Sequence, residues 1–428
     1  MTQQPTPIAE AVAAALPAGS PYAKNLSGLG FRALQEDDAP RAYLLIRASL
    51  DLDPTDRLAW DNLARTLKAL NREEEAIAIY RRLIAEHPDW DQVKCNLGVS
   101  LLRRGEFEEG WRLNRTRLHV IPGLKVIDDP LTGRPLHETP VPAVADMAGR
   151  DVVIVSEQGI GDELCYLRFL PRLWDAAHPR RVWFWPAEKR GEHVAVSKLA
   201  PVLDRHPSLV RVATEELIGE IARSGAVTLA LADLPLVTGM RSIDDVPQSL
   251  ELNWRRSFWP LRTRNAIGVT WLAGMIELRF KGGLYKSVPP GELGYALRET
   301  TQPVVVLQRN LDTEDLADFE AGLGRPVAEV FDGRGVRAED ELDTWACALS
   351  QLAAYVAVPN TNAHLIAAMG ADAPALHSLV ACVPEYRWSD RGDGRSAWFP
   401  EARCYRQDAL GWEGALYSLS QAMAGAPA

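Results

Sequence analysis

The segment 156–162 combines residue types that could bind an anion and accept a proton. The apolar run Val152–Val155 before it predicts a buried strand, and the periodic apolar residues after it predict a helix. A strand, a glycine-containing turn and a helix place backbone N–H groups at the carboxyl edge of a sheet, where anions bind. Asp162 could face that cleft and accept a proton. The turn residues on this side are Gln158, Gly159 and Gly161. In the alternative interpretation the turn binds no anion and has only a structural role, because many such turns need glycine only for their backbone geometry.

A second group of polar residues follows the predicted strand Ala266–Trp271. Lys281, Lys286 and Ser287 supply charge and hydroxyl donors that can hold a diphosphate. Gln308 ends the next predicted strand and would face the same edge. The alternative for these residues is an ordinary surface loop.

A third group begins at Asn360 and Thr361, either of which is a good helix N-cap. The N-terminus of that helix, with Asn362 in its first turn, would point N–H groups and a partial positive charge at the cleft. His364 lies in the same turn, where a structural hydrogen bond is its commoner role and catalysis the rarer one.

Repeated positions organise the N-terminal part of the chain. Three prolines recur at intervals of 34 residues, as do leucines and small residues: Pro54, Pro88 and Pro122; Leu29, Leu63 and Leu97; Gly30, Ala64 and Gly98. This period is typical of tetratricopeptide repeats, which are helix–turn–helix units stacked around a concave face. We therefore predict a flexible tail over 1–24, a repeat arm over 25–122 and a proline-rich linker over 123–150. The arm is either a platform for a protein or a spacer or dimerisation element.

After the linker, short apolar runs alternate with helical stretches, which predicts parallel sheets. We expect two Rossmann-like halves, one over 151–260 and one over 261–428. The predicted fold class is thus α/β with an N-terminal all-α arm.

The composition of the chain narrows the classes of function that it could have. The net charge of −10 over 428 residues gives no general basis for nucleic-acid binding. The five cysteines have no zinc-binding spacing and fit reduced thiols. No secretory signal or membrane-spanning run is recognisable, so we expect a cytoplasmic protein.

Four segments resemble motifs of tetratricopeptide–glycosyltransferase fusions, relatives of the lipopolysaccharide heptosyltransferases. The segments, in chain order, are SEQGIGDELCYLRFLP from Ser156, YKSVPPGEL from Tyr285, VPNTNAHLIAAMG from Val358 and YRWSDRGDGRSAWFPEARCYRQ from Tyr386. Together they are spread over the chain between Val152 and Gln407, and the resemblance implies that the half 151–260 is the acceptor side and the half 261–428 the donor side.

The resemblance implies a GT-B fold and transfer of a sugar from a nucleotide-sugar donor without a metal or other cofactor. Asp162 would be the base. Lys286 and Ser287, with the N–H groups of Asn360–Ala363, would hold the diphosphate, and Gln308 would flank the nucleotide. By family analogy the acceptor is a Ser or Thr hydroxyl of a protein such as bacterial flagellin, presented by the arm.

Two alternatives remain open. The glycosyltransferase half could be an inactive scaffold behind a protein-binding arm. The enzyme could instead act on a glycan or a lipid-linked acceptor, with the repeats serving assembly, including a homo-oligomer.

Overall fold

The computed structural model of the chain describes residues 21–36, 38–157, 159–186, 198–255, 260–273, 286–309, 311–337, 340–382, 384–389, 392–408 and 411–424. No helix in these ranges has the length and apolar character needed to cross a lipid bilayer.

Paired antiparallel helices form the N-terminal arm. They are α1 (Pro21–Gln35), α2 (Ala39–Leu52), α3 (Arg57–Ala69), α4 (Glu73–Glu86), α5 (Asp91–Arg104) and α6 (Phe107–Asn114). The first helix begins before the predicted start of the arm at residue 25. The reason is that Ala23 is fully buried and its carbonyl accepts a 2.7 Å hydrogen bond from Ser49 Oγ on α2.

The repeated small residues lie where paired helices cross. A Cβ on Gly98 would lie 2.7 Å from the backbone nitrogen of Asn114, and a Cβ on Gly110 would lie 2.8 Å from Leu102 Cδ2. The backbone of Asn114 cannot easily move aside, so glycine at position 98 permits α5 and α6 to pack at this distance, whereas at Gly110 the Leu102 side chain would have to shift.

The region predicted as a linker is folded against the rest of the chain. Two short helices, α7 (Arg117–Val120) and α8 (Pro122–Lys125), lead from the arm into this region, which contains a 3-10 turn (Leu136–Glu138) and α9 (Val144–Met147). The apolar side chains Leu124, Ile127, Leu136 and Met147 are buried. The region therefore packs against the rest of the chain, which its sequence pattern did not predict. Single apolar residues between prolines pack individually, so they leave no periodic signal in the sequence.

The first α/β half has a parallel sheet in the order β3-β2-β1-β4. Its elements are β1 (Asp151–Val155), α10 (Ile160–Leu167), α11 (Leu170–Ala177), β2 (Arg181–Trp185), α12 (Ala200–Leu203), β3 (Arg211–Val212), α13 (Glu215–Arg223), β4 (Val227–Ala230) and α14 (Leu234–Val237). The strand order reverses at β1, so the turn after β1 lies at the point where ligands bind in such sheets.

The second half has a parallel sheet in the order β12-β11-β10-β5-β8-β9 and a short antiparallel pair, β6 and β7. Its elements are β5 (Ala266–Thr270), β6 (Leu272–Ala273), β7 (Lys286–Ser287), α15 (Pro290–Leu297), β8 (Val304–Leu307), α16 (Thr313–Leu323), β9 (Glu329–Phe331), α17 (Glu341–Leu349), β10 (Leu352–Ala357), α18 (Thr361–Ala367), β11 (Ala375–Val380), β12 (Arg403–Arg406) and α19 (Glu413–Ala424). Here the order reverses between β5 and β10. The predicted fold class, a helical arm followed by two Rossmann-like halves, is confirmed.

Buried ion pairs join the arm to the first half. The Arg117 guanidinium is 2% exposed and donates two 2.7 Å hydrogen bonds to the Glu157 carboxylate. It also lies 2.9 Å from Asp233, which pairs with Arg115 as well. The backbone N–H of Ala232 donates to Glu157 at 2.9 Å. The end of the arm is therefore part of the charged interior of the body.

Aromatic contacts reinforce this junction. Trp111 on α6 is 1% exposed and meets Tyr166, Tyr386 and Trp398 edge-to-face, with ring centroids 6.2, 5.7 and 6.1 Å away. These partners come from the first half and from the segment before β12. One tryptophan of the arm thus contacts both halves of the body.

Arg117→Met should destabilise the chain by about 3–5 kcal/mol, because it leaves the Glu157 carboxylate buried without its counter-ion. The free energy of unfolding in urea measures the loss. Arg112→Met on the exposed face of α6 is the matched control and should change it by less than about 0.5 kcal/mol. Equal stability of the two variants would contradict this account of the junction.

Candidate active site

The turn after β1 is held by carboxylates on both sides. Glu157 is bonded to Arg117, and Ser156 Oγ donates a 2.5 Å hydrogen bond to the buried Glu163. The carbonyl of Gly159 accepts hydrogen bonds from the N–H groups of Asp162 and Glu163 at 2.9 and 3.0 Å. Helix α10 therefore begins at a fixed place, and Asp162 lies in its first turn.

Asp162 points towards the second half and makes an ion pair there. Its side chain is 22% exposed, and its Oδ1 lies 2.7 Å from Nη1 of Arg387. A Cβ placed on Gly159 would lie 3.9 Å from Oδ2. One carboxylate oxygen is thus paired with a cation, and the other lies over a residue that has no side chain.

Arg387 lies between two carboxylates. Its Nε donates to both oxygens of Glu385 at 2.7 and 2.8 Å, while Nη1 faces Asp162. Burial lowers the pKa of the guanidinium, but the Glu385 and Asp162 carboxylates outweigh burial and raise that pKa above its ordinary value. Arg387 is therefore a permanent cation in the cleft.

The helix after β10 is capped as predicted from Asn360. The side-chain oxygen of Asn360 accepts a 3.1 Å hydrogen bond from the N–H of Ala363, and its amide nitrogen donates to the Tyr355 hydroxyl at 3.0 Å. Asn362 donates to the same hydroxyl at 3.0 Å. Tyr355 in turn shares a 2.6 Å hydrogen bond with Thr270 at the end of β5. This network ties the start of α18 to the two central strands.

The first turn and the later element meet directly. A Cβ on Gly161 would lie 3.0 Å from the imidazole of His364, so the absence of a side chain lets α10 and α18 approach. His364 is 7% exposed and meets Phe399 edge-to-face at 5.0 Å and Trp388 at 6.4 Å. Three of the four motif segments therefore converge around Gly161 and His364.

The other predicted residues occupy different places. Gln308 is 5% exposed, and its amide bonds the N–H and carbonyl of Leu272 at 3.2 and 2.9 Å. Its observed bonds thus hold β6 beside β8. Ser287 and the backbone of Lys286 lie in β7, paired with Leu272 and Ala273. Thr361 begins α18. Gln158 and Lys281 lie outside the described residues. Ligand contacts for all of these stay predictions.

Several residues of this region were not singled out from the sequence. Arg387, Glu385, Glu157 and Tyr355 all hold the motifs together. Arg387 is inside a segment whose resemblance was noted, and a lone arginine between two aromatic residues was the available signal. Its partner Asp162 is too distant in sequence for spacing to reveal.

A concavity of about 630 Å³ lies elsewhere, on the first half. Its lining includes Asp151 and Arg181, the first residues of β1 and β2, so it opens at the amino edge of the sheet. The Asp151 carboxylate there is bonded by Arg180 at 2.8 Å and Trp183 at 3.1 Å. The motif residues lie at the opposite, carboxyl edge. In the described ranges no group of three or more His, Cys, Asp or Glu side chains could hold a metal ion.

Tyr355→Phe should lower the free energy of unfolding by about 1–3 kcal/mol, because two amide donors and one hydroxyl lose a buried partner. Thermal denaturation measures this loss. Tyr417→Phe, at a residue that is 67% exposed, is the control and should leave the midpoint unchanged. A Tyr355→Phe variant as stable as the control would exclude the network as a support of α18.

Comparisons with known proteins add the following. A family model described as tetratricopeptide repeat matches residues 33–97. Protein FlbA of Caulobacter vibrioides is 22% identical over 500 aligned residues, which cover 97% of this chain and 80% of FlbA. A peroxisomal targeting signal receptor of Kluyveromyces lactis is 26% identical over 144 residues, which cover 33% of this chain and 25% of the receptor.

Two solved structures are similar at low identity. The E. coli ADP-heptose lps heptosyltransferase II is 15% identical and has a TM-score of 0.40, with 64% of this chain and 98% of that chain covered. A Thermobaculum terrenum O-GlcNAc transferase is 15% identical and has a TM-score of 0.31, with 99% and 91% covered. With the family match, the observed helices and sheets identify the chain as a tetratricopeptide repeat arm followed by two Rossmann-like halves.

Proposed function

We propose that the chain is a glycosyltransferase that moves a sugar from a nucleotide-sugar donor to a hydroxyl of an acceptor protein. The observation that carries the proposal is the convergence of three motif segments at one cleft. Gly161 and Asp162 of the first segment lie against His364 of the third and Arg387 of the fourth. In each sheet the strand order reverses next to this region, and ligands bind at such points in folds of this kind.

Asp162 is the base in this proposal. Its free oxygen takes the proton of the acceptor hydroxyl, the hydroxyl oxygen bonds to the anomeric carbon, and the bond to the diphosphate breaks. The electron pair leaves with the nucleoside diphosphate. Lys286, Ser287 and the N–H groups at the start of α18 hold that diphosphate and stabilise its charge, so the reaction proceeds without a metal.

The arm presents the acceptor protein. Its helix α5 contacts the 3-10 turn Tyr386–Trp388, which carries Arg387, so the arm continues into the cleft. In this proposal, polar residues on the first helices of the repeats line the surface that binds the acceptor protein. Asn96 Nδ2 on α5 donates to Asp61 on α3 at 3.2 Å. Burial lowers the pKa of Lys68, also on α3, to about 8. A Ser or Thr side chain of a bound protein, for example a flagellin, is the acceptor we propose.

A second candidate, an inactive scaffold, is favoured by one observation. The side chain of Gln308, which was expected to flank the nucleotide, already bonds the backbone N–H and carbonyl of Leu272. A scaffold would keep these structural bonds without binding a donor.

A thermal-shift screen of the full chain against nucleoside diphosphates and nucleotide sugars separates the two. A ligand that binds only the folded state raises the midpoint by mass action. We expect a clear shift with one nucleotide class. A well-folded sample with no shift against any donor would favour the scaffold.

Asp162→Asn should reduce sugar transfer by roughly 10²–10⁴-fold, the usual contribution of a general base. Donor binding should be nearly unchanged, because the donor is held by the second half. The readout is release of nucleoside diphosphate from the donor found in the screen. Asp175→Asn, on the exposed face of α11, is the matched control and should retain parental activity. Equal turnover by the Asp162 variant and its control would remove Asp162 from the base role.

A further inference from the structure

We propose that Arg387 is a positioning residue for Asp162, fixing one carboxylate oxygen so that the other faces the turn at Gly159. This inference rests on the proposed function, since it assigns a task to a residue beside the proposed base. The contact that carries it is the 2.7 Å ion pair between Nη1 of Arg387 and Oδ1 of Asp162. Oδ2 then lies over Gly159, where an acceptor hydroxyl has room to approach.

The backbone of Arg387 is held by its own segment. Ser396 Oγ donates a 2.6 Å hydrogen bond to the Arg387 carbonyl. The same oxygen accepts from the N–H groups of Trp398 and Phe399 at 3.1 and 3.0 Å. The Ser396 hydroxyl thus joins the Arg387 carbonyl to the backbone of Trp398 and Phe399. The guanidinium therefore extends into the cleft from a fixed backbone position.

The neighbours of Arg387 fix the same segment to other elements. The Tyr386 hydroxyl is hydrogen-bonded to the Tyr166 hydroxyl of α10. Trp388 stacks on Phe399, with centroids 4.9 Å apart and planes 28° apart. Arg168 of the first half donates to the Trp398 carbonyl at 2.7 Å. These contacts fix the backbone from which the Arg387 side chain reaches Asp162, and they join the two halves.

From the segment 384–389, Arg387 faces Asp162 directly and Glu385 binds the same guanidinium. Glu385 accepts from Nε of Arg387, whereas Asp162 lies at Nη1, so the guanidinium bridges the two carboxylates. On α10, burial raises the pKa of Cys165 and of Tyr166, so both are neutral at working pH. His364 faces Gly161 from α18.

Orientation matters because a carboxylate rotates easily about its last torsion, which has broad minima. A guanidinium bound to one oxygen restricts that rotation, so the other oxygen keeps one direction. Removing the guanidinium should therefore lower kcat while the donor KM stays nearly unchanged. A residue that only supports the fold would lower the amount of folded protein and leave kcat per folded molecule unchanged.

The test compares kcat and KM for nucleoside diphosphate release, normalised to folded protein, with water as acceptor and the nucleotide sugar identified by thermal shift as donor. Arg387→Met removes the charge, and Arg387→Lys keeps the charge but loses the planar fork. The lysine variant also guards against a methionine variant that does not fold, since it leaves Glu385 paired with a cation. Arg395→Met is the control in the same segment. It also removes a guanidinium, but one that donates to the Pro400 carbonyl.

For Arg387→Met we expect kcat per folded molecule to fall by about 10- to 100-fold, the range that a misplaced catalytic group costs. The donor KM should stay within about twofold, and Arg387→Lys should restore part of the lost kcat. Arg395→Met should give the parental kcat and KM.

Other outcomes overturn the inference. A parental kcat for both Arg387 variants, or an equal loss of kcat in Arg395→Met, excludes a positioning role while leaving the proposed function intact. A rise in donor KM that accounts for the whole loss would instead assign Arg387 to the donor. A parent chain that shifts with no donor refutes the proposed function itself, and the role of Arg387 with it.

Discussion

The ion pairs of Arg117 with Glu157 and Asp233 are the constraint on which the joining of arm and body depends. Buried ion pairs add little net stability compared with apolar packing, but breaking one leaves an uncompensated charge. Any other docking of the arm would leave such charges unpaired, so the network selects a single arrangement. Glu157 immediately precedes the turn that leads to Asp162. The position of the arm and the geometry of the candidate site are therefore set by the same carboxylate.

Local patterns in the sequence predict the elements well where one periodicity dominates. The 34-residue period gives the repeat helices, and apolar runs such as Val152–Val155 give the central strands. The edge strand Arg403–Arg406 was not predicted, because two of its four residues are arginines and it has a neighbour on one side only. The packing of the region 123–150 against the body was not predicted, for a related reason. Its buried residues are isolated between prolines, and isolated residues have no period to detect.

The candidate site shows a different limit. Sequence patterns locate the segments around Asp162 and Asn360, because strand ends and helix caps have local signatures. They do not show that Asp162 pairs with Arg387 or that Asn360 and Asn362 share the hydroxyl of Tyr355. Those partners are set by the tertiary fold. Gln308 illustrates the same point, since a polar residue at a sheet edge can serve the neighbouring backbone as readily as a ligand.

The closing segment, 384–400, has a consequence for how the chain is made. It lies near the C-terminal end of the sequence, yet it supplies the cation beside Asp162 and aromatic rings that enclose Trp111 of the arm. During translation, the arm, the first sheet and most of the second sheet are therefore synthesised before this segment, which contacts all three. During synthesis the carboxylate of Asp162 and the faces of Trp111 that meet Tyr386 and Trp398 stay without these partners until hundreds of residues later. Truncation before this segment would leave recognisable domains with their shared interior open to solvent.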